Sequence, residues 1–243
     1  MLRGVLFDLD NTLLDFMQMK RAAIEAAVTA MIDAGMPVTR EEAFSEIYRL
    51  YEQVGIEHQE IFNLYLKQQF GDIPFKWLAA GIVAYRRARD GVMVTYPHVR
   101  ATLVELLRRG LRLAVISDAP RLNAWLRLCQ LDLHHAFDPV VTFEDTGHRK
   151  PSPMPFERAL ERMGMRPNEV VMVGDWPERD MVGASNLGIK TVFARYGDTK
   201  NVAHSGADFE IDDIRELLQV LDQIEIDDSQ TDLFEPPLRA SEE

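Results

Sequence analysis

The sequence predicts an α/β protein: an open parallel β-sheet with a bundle of helices inserted after its first strand. Three observations carry this expectation. Short apolar runs at 5–9, 111–116, 139–143, 170–173 and 190–194 are rich in Val, Ile, Leu and Phe and do not alternate with polar residues, the pattern of parallel strands covered on both faces. Helical patterns lie between most of these runs, so strand and helix alternate as in a right-handed doubly wound sheet. From about 16 to 91 no strand pattern occurs, only helices.

Each element has a local reason. The pattern at 17–34 stops at Gly35, with Pro37 beyond it, a helix followed by its usual breakers. Thr39 and Glu42 form a capping box opening a helix to about 54. Segments 59–70 and 74–90 complete a module of about four helices. The helix at 97–109 has Pro97 near its start and Gly110 just past its end. The stretches 120–131, 153–163 and 178–187 fill the later crossovers, and Met165, Pro167 and Asn168 mark the loop before the fourth strand. A short last strand at 207–212 and a closing helix at 214–221 finish the pattern. The expected organisation is therefore a core of 1–15 and 93–221, an inserted helical cap at 16–92, and a tail at 222–243. That tail carries eight acids against Arg239 alone and reads as solvated and disordered. Its short apolar stretch, Leu233, Phe234 and Leu238, identifies no partner.

Composition narrows the function. The 243 residues are 47% hydrophobic and 27% charged, a globular balance. The net charge of −12 repels phosphate backbones and argues against nucleic-acid binding by charge. It leaves room for a small phosphorylated ligand, because a few local cations or a metal overturn the global sign. The single cysteine, Cys129, allows no intramolecular disulfide; beside Ala124, Leu126 and Leu128 it reads as a small buried helix residue. No run approaches the roughly 18 apolar residues of a membrane span, and the first residues lack the shape of a signal peptide. A cytoplasmic protein without a membrane partner is expected.

Four strand ends carry the chemistry. The first reads Phe7-Asp8-Leu9-Asp10-Asn11-Thr12, placing two carboxylates on one side of the chain. The second ends in Ser117-Asp118, Arg149-Lys150-Pro151 follows the third, and the fourth ends in Gly174-Asp175-Trp176, with Asp180 nearby. Singly each has an ordinary explanation: Asp10 or Asn11 as a cap, Ser117 as a cap, Lys150 as a surface charge, Asp175 as a helix N-cap. Together they lie where open α/β sheets bind ligands, beyond the carboxyl ends of the strands.

In these four motifs and the helical insert, the sequence over about 1–221 resembles the haloacid dehalogenase-like (HAD) hydrolases, in the branch whose cap follows the first strand of a Rossmann-like sheet. The stretches Glu144-x-x-Gly147-x-x-Lys150-Pro151, Gly183-Ala184 with Gly188, and 190–197 extend the likeness toward Mg2+-dependent microbial phosphatases. The resemblance implies Asp8 as nucleophile and Asp10 as acid and base. It implies Ser117, Asp118 and Lys150 at the phosphoryl group, Mg2+ held by Asp8, Asp175 and the Asp10 carbonyl, and Asp180 in support. It implies a small substrate such as a sugar phosphate, glyceraldehyde 3-phosphate, phosphoglycolate or a nucleotide, a cap opening on linkers near 14–16 and 92–96, and allows a homodimer. A phosphomutase on the same site and a phospho-accepting signalling or binding module are the alternatives. Asp118 and Trp176 depart from the residues usual in the family. Lys20, Arg21, Arg86 and Arg87 in the insert read as solvated surface, and His98 and His148 as capping or surface residues.

Overall fold

The computed structural model describes residues 1–234. Six parallel strands form one sheet: β1 (Gly4–Phe7), β2 (Arg112–Ile116), β3 (Val140–Val141), β4 (Val170–Gly174), β5 (Lys190–Ala194) and β6 (Phe209–Ile211). Their order is β3-β2-β1-β4-β5-β6, so the winding reverses between β1 and β4, the point at which such sheets open a crevice. Phe7 is level with Val115 on one side and Val173 on the other. Asp8 therefore leaves β1 beside the ends of both neighbours. β1, β3 and β4 are buried throughout, as is β2 beyond Arg112, which is why their sequences do not alternate. One sheet face packs Leu6, Ala114, Ile116 and Met172 against Phe156, Ala159, Leu160 and Met163 of α8 (Pro153–Met163).

The expected strands all hold to within one or two residues at each end, β3 being cut to two residues. There the chain turns at Thr142 into a short helix, α7 (Phe143–Thr146), because Thr142 and Asp145 form a capping box. The helix expected at 178–187 divides into a wide turn at Pro177–Met181 and α9 (Val182–Ser185). The crossover α5 (Val99–Arg108) begins at His98, whose ring Nδ1 lies 2.8 Å from Asp213; His148 closes a local turn with Thr146.

The chain divides into two compact units, one of 1–13, 95–118 and 133–243, the other of 14–94 and 119–132. The second is helical: α1 (Phe16–Asp33), α2 (Arg40–Val54), α3 (Ile61–Phe70), α4 (Phe75–Val92) and α6 (Arg121–Gln130). The Thr39–Glu42 capping box forms as the sequence predicts. Ile24, Val28, Met31, Ile47, Leu50, Tyr65 and Leu66 make its core. Gly81 lets α4 approach α1, since a Cβ there would stand 2.9 Å from Met31 Cγ.

Segment 119–132 departs from the expected division, because polar contacts tie it to the helical unit. Arg127 pairs with Glu57 at 2.5 Å and stacks over Phe16 at 4.5 Å. Asn123 donates to Glu57 and Gln130 to the Asp90 carbonyl. Cys129, expected to be buried, is exposed: α6 turns Ala124, Arg127 and Leu128 inward.

The last helix, α10 (Leu217–Phe234), runs well past 221. Residues 222–234, expected to be unstructured, are helical here, while 235–243 and with them Leu238 lie outside the described residues. The helix continues because Leu217, Leu221 and Ile224 are all buried on one stripe and Arg109 holds Asp222 at 2.7 Å. Ile224→Ala is expected to cost about 2–4 kcal/mol, measured by urea denaturation of the whole chain.

Candidate active site

The strand ends bring Asp8, Ser117, Asp175 and, through the turn before α8, Lys150 to the same edge of the sheet unit. Asp8 is fixed by its own amide, which donates to the Val173 carbonyl at 2.9 Å. Ser117 is buried and its amide donates to Val141 at 2.9 Å, so β2 sets its position by ladder geometry. Gly174, the last residue of β4, has no room for a side chain: a Cβ would run into Asp180. The wide turn after it returns Asp180 toward β4, where Asp180 accepts from the Trp176 amide at 3.1 Å.

Asp8, Asp175 and Asp180 each present a carboxylate oxygen within 4.8 Å of the others, and all three are buried. The Lys150 ammonium, also buried, is paired with Asp8 and lies 2.6 Å from Asp180. Three carboxylates facing one ammonium leave an excess of negative charge where desolvation makes it costly. The titration behaviour expresses that excess. Burial pushes the Asp8 carboxyl up to about 7, with Asp180 and Asp10 adding to the rise against the pull of Lys150. Burial, then Asp8 and Asp180, hold Asp175 well above the usual carboxylate range. Burial opposes the Lys150 charge, but Asp180, Asp8 and Asp118 outweigh it and raise its pKa.

This donor set suits a divalent cation that prefers oxygen, which would relieve the repulsion that the ammonium only partly offsets. Asp8, Asp175 and Asp180 are the carboxylates gathered in this way. The Asp10 carboxyl lies outside that group, half-buried in the loop that follows, and acts on Asp8 through its charge.

Asp118 is engaged within the protein. Its Oδ1 accepts the Lys150 amide at 3.0 Å and its Oδ2 the Arg179 guanidinium at 3.1 Å. Arg179 also covers Trp176, its guanidinium carbon 3.6 Å from the ring centroid, and Lys200 takes the other face with its ammonium at 3.2 Å. One carboxylate thus links the loops carrying Ser117, Lys150 and Asp175.

Several contributors escaped the sequence reading. The Thr12 hydroxyl donates to Asp175 at 3.3 Å, and the Thr12 carbonyl accepts from Tyr196 at 2.9 Å. Gly197 abuts the Asn11 carbonyl so closely that no side chain fits. Asn11 itself has φ of 60°, a left-handed turn that Asn tolerates. Thr12 had a signal, standing in the loop of Asp8, and Tyr196 and Gly197 lay in the stretch 190–197 that carries the family likeness, though their contact with the loop of 10–12 had none; the partner of Arg179 is given only by tertiary approach.

The fold and the site define a hydrolase built on a parallel sheet with a carboxylate at the end of its first strand. Residues 5–194 match the model of the haloacid dehalogenase-like hydrolases, and the chain belongs to that family. A glyceraldehyde 3-phosphate phosphatase of Methanothermobacter thermautotrophicus is 36% identical over 226 residues, covering 91% of this chain and 100% of that protein. Another of the same name from Methanopyrus kandleri is 34% identical, over 92% of this chain and 99% of that one. Among solved structures, a HAD phosphatase from Thermococcus onnurineus superposes with a TM-score of 0.67 at 26% identity, covering 90% of this chain and 98% of its own.

Two outcomes are expected of the site. Asp8 and Asp175 in the metal-free protein retain protons that an unfolded chain releases near pH 3.8. The folded state therefore binds more protons between about pH 4 and 7, and its stability falls as pH rises through that window. Melting curves of EDTA-treated protein will show a lower melting temperature at pH 7.5 than at pH 5.5, and added Mg2+ will reverse the loss. Arg179→Ala will lower kcat by about tenfold or more in steady-state assays, as misplacement of a reacting group does, while Arg179→Lys, which keeps the charge facing Asp118, recovers part of it.

Proposed function

We propose that this protein is a Mg2+-dependent phosphatase of a small phosphorylated metabolite, with triose phosphates such as glyceraldehyde 3-phosphate as its preferred class. The observation that carries the reading is the Lys150 ammonium set between Asp8 and Asp180 inside a buried carboxylate group. A nucleophilic carboxylate, a fixed cation for the transferring oxygens and a divalent-metal donor set occur together there. The names of the curated relatives support the substrate class.

In this reading an Asp8 oxygen attacks phosphorus while the bond to the substrate's alcohol oxygen breaks, leaving an aspartyl-phosphate. Asp10 gives its proton to the departing alkoxide. It then takes a proton from the water that attacks the phosphorus of the intermediate, releasing inorganic phosphate and restoring the Asp8 carboxylate. Bound Mg2+ supplies neutralisation of charge on the phosphoryl oxygens and lowers the cost of ionising Asp8 beside Asp175. Asp8, Asp175 and the Asp10 carbonyl hold it, with Asp180 in support. Lys150 and Ser117 hold the phosphoryl oxygens, Lys150 adding charge where it develops. Asp118 acts in this scheme by fixing Lys150. No described helix is long and apolar enough to cross a membrane, and we take the protein to work in the cytoplasm.

Purified protein will release phosphate from 4-nitrophenyl phosphate and glyceraldehyde 3-phosphate with Mg2+ and stop on adding EDTA. Asp8→Asn will lose at least about 10³-fold in kcat with an unchanged circular dichroism spectrum. Full turnover by that variant would refute the nucleophile.

A further inference from the structure

Asp10 has the hardest placement to keep. It stands in the loop after β1 rather than in a strand, and its carboxyl has to address the departing oxygen and then the attacking water. A loop drifts unless its backbone is tied down. This one is closed at its base, where the Leu13 amide donates to the Leu9 carbonyl at 2.9 Å. Between them Asn11 turns the chain through a left-handed φ of 60°, a conformation that surrounding contacts have to maintain.

Three successive carbonyls of the loop meet distant segments of the same unit. The Asn11 carbonyl lies against Gly197, where no side chain fits. The Thr12 carbonyl accepts the Tyr196 hydroxyl at 2.9 Å. The Leu13 carbonyl accepts the Tyr96 amide at 3.1 Å. Of the three contacts, the middle one is made by a side chain. Tyr196 belongs to the short turn Arg195–Gly197 that follows β5, and β4 lies between β5 and β1 in the sheet. The tyrosine therefore reaches past the end of β4 to hold the loop. Its ring stands edge-on to Tyr96, with centroids 5.0 Å apart, which fixes the direction of the hydroxyl. Thr12 is fully buried, so solvent offers its carbonyl no ready substitute for that hydroxyl.

We propose that Tyr196 is a positioning residue for Asp10: by holding the Thr12 carbonyl it keeps the Asp10 carboxyl aimed for proton transfer, an assignment that rests on the acid and base role of Asp10 given above. The competing route runs through Asp175, which the Thr12 hydroxyl reaches at 3.3 Å. Leaving-group chemistry separates the two. 4-Nitrophenolate departs readily without a proton, whereas phenolate and above all an alkoxide need one, so misplacing a general acid slows the poor leaving groups most.

Tyr196→Phe removes the hydroxyl and keeps the ring beside Tyr96. At saturating Mg2+, its kcat/KM is expected to fall about tenfold or more for phenyl phosphate and glyceraldehyde 3-phosphate, and by a clearly smaller factor for 4-nitrophenyl phosphate. On an Asp10→Asn background the same change will add no further loss with phenyl phosphate, because residues that act as a unit are not additive. In EDTA-treated protein, where nothing turns over, NMR will show the Leu13 amide exchanging with deuterium faster in Tyr196→Phe. Equal losses for the three esters, a full further loss on the Asp10→Asn background, unchanged Leu13 exchange, or a loss that raising Mg2+ restores overturns the proposal. A Tyr196→Phe protein that does not fold assigns the hydroxyl to stability alone and overturns it as well. Wild-type protein that hydrolyses none of the three esters removes the phosphatase reading instead, whereas an active wild type with an indiscriminate Tyr196→Phe removes only the role of Tyr196.

Discussion

Buried like charge at the carboxyl edge of the sheet is the constraint around which this protein is organised. Asp8, Asp175 and Asp180 approach within hydrogen-bonding scale of a common point, and Lys150 neutralises only part of what they carry. Such a group would be expelled from an ordinary core. It persists because each member is held in place: Asp8 by its amide on β4, Asp175 by the Thr12 hydroxyl, Asp180 by the Trp176 amide, Lys150 by the Asp118 carboxylate on its own amide. The fold spends stability there and keeps a centre that a divalent cation and a phosphoryl group can jointly satisfy.

The same constraint explains the surrounding loops. A carboxylate cluster works only if its spacing is kept, so the loops bearing it are tied to one another rather than to solvent. Asp118 and Arg179 link three of them. Tyr196 and Gly197 press against the loop of 10–12 from the end of β5. Trp176, which departs from the family's usual residue, is turned to this purpose: between two cations it becomes a rigid cover beside Asp175. The hydrogen bond that a hydroxyl residue there would give is matched by Thr12, which reaches Asp175 from the loop after the neighbouring strand β1.

In the helical unit, periodicity already separates Lys20 from Arg21, since Lys20 falls on the stripe of Phe16, Met19, Ala23, Ile24, Ala27 and Val28 that α1 buries; the expectation that both face solvent weighs charge above that spacing. The two are adjacent in sequence, yet one is buried over aromatic rings while the other faces Glu25 at the surface.

The sequence alone determined the strand runs, the helical insertion and the identity of the acidic, hydroxyl and ammonium groups at the strand ends. Those features are local: apolar runs without alternation, capping residues, and polar groups placed one or two residues beyond a strand. Tertiary structure decided what depends on approach between distant segments. It brought Asp180 back against β4, joined 119–132 to the helical unit through Glu57, and turned Cys129 outward. It also carried α10 past 221, because the stripe of Leu217, Leu221 and Ile224 finds a surface to bury against. Charge run and apolar stripe compete in that last segment, and only the presence of a packing partner settles which one governs.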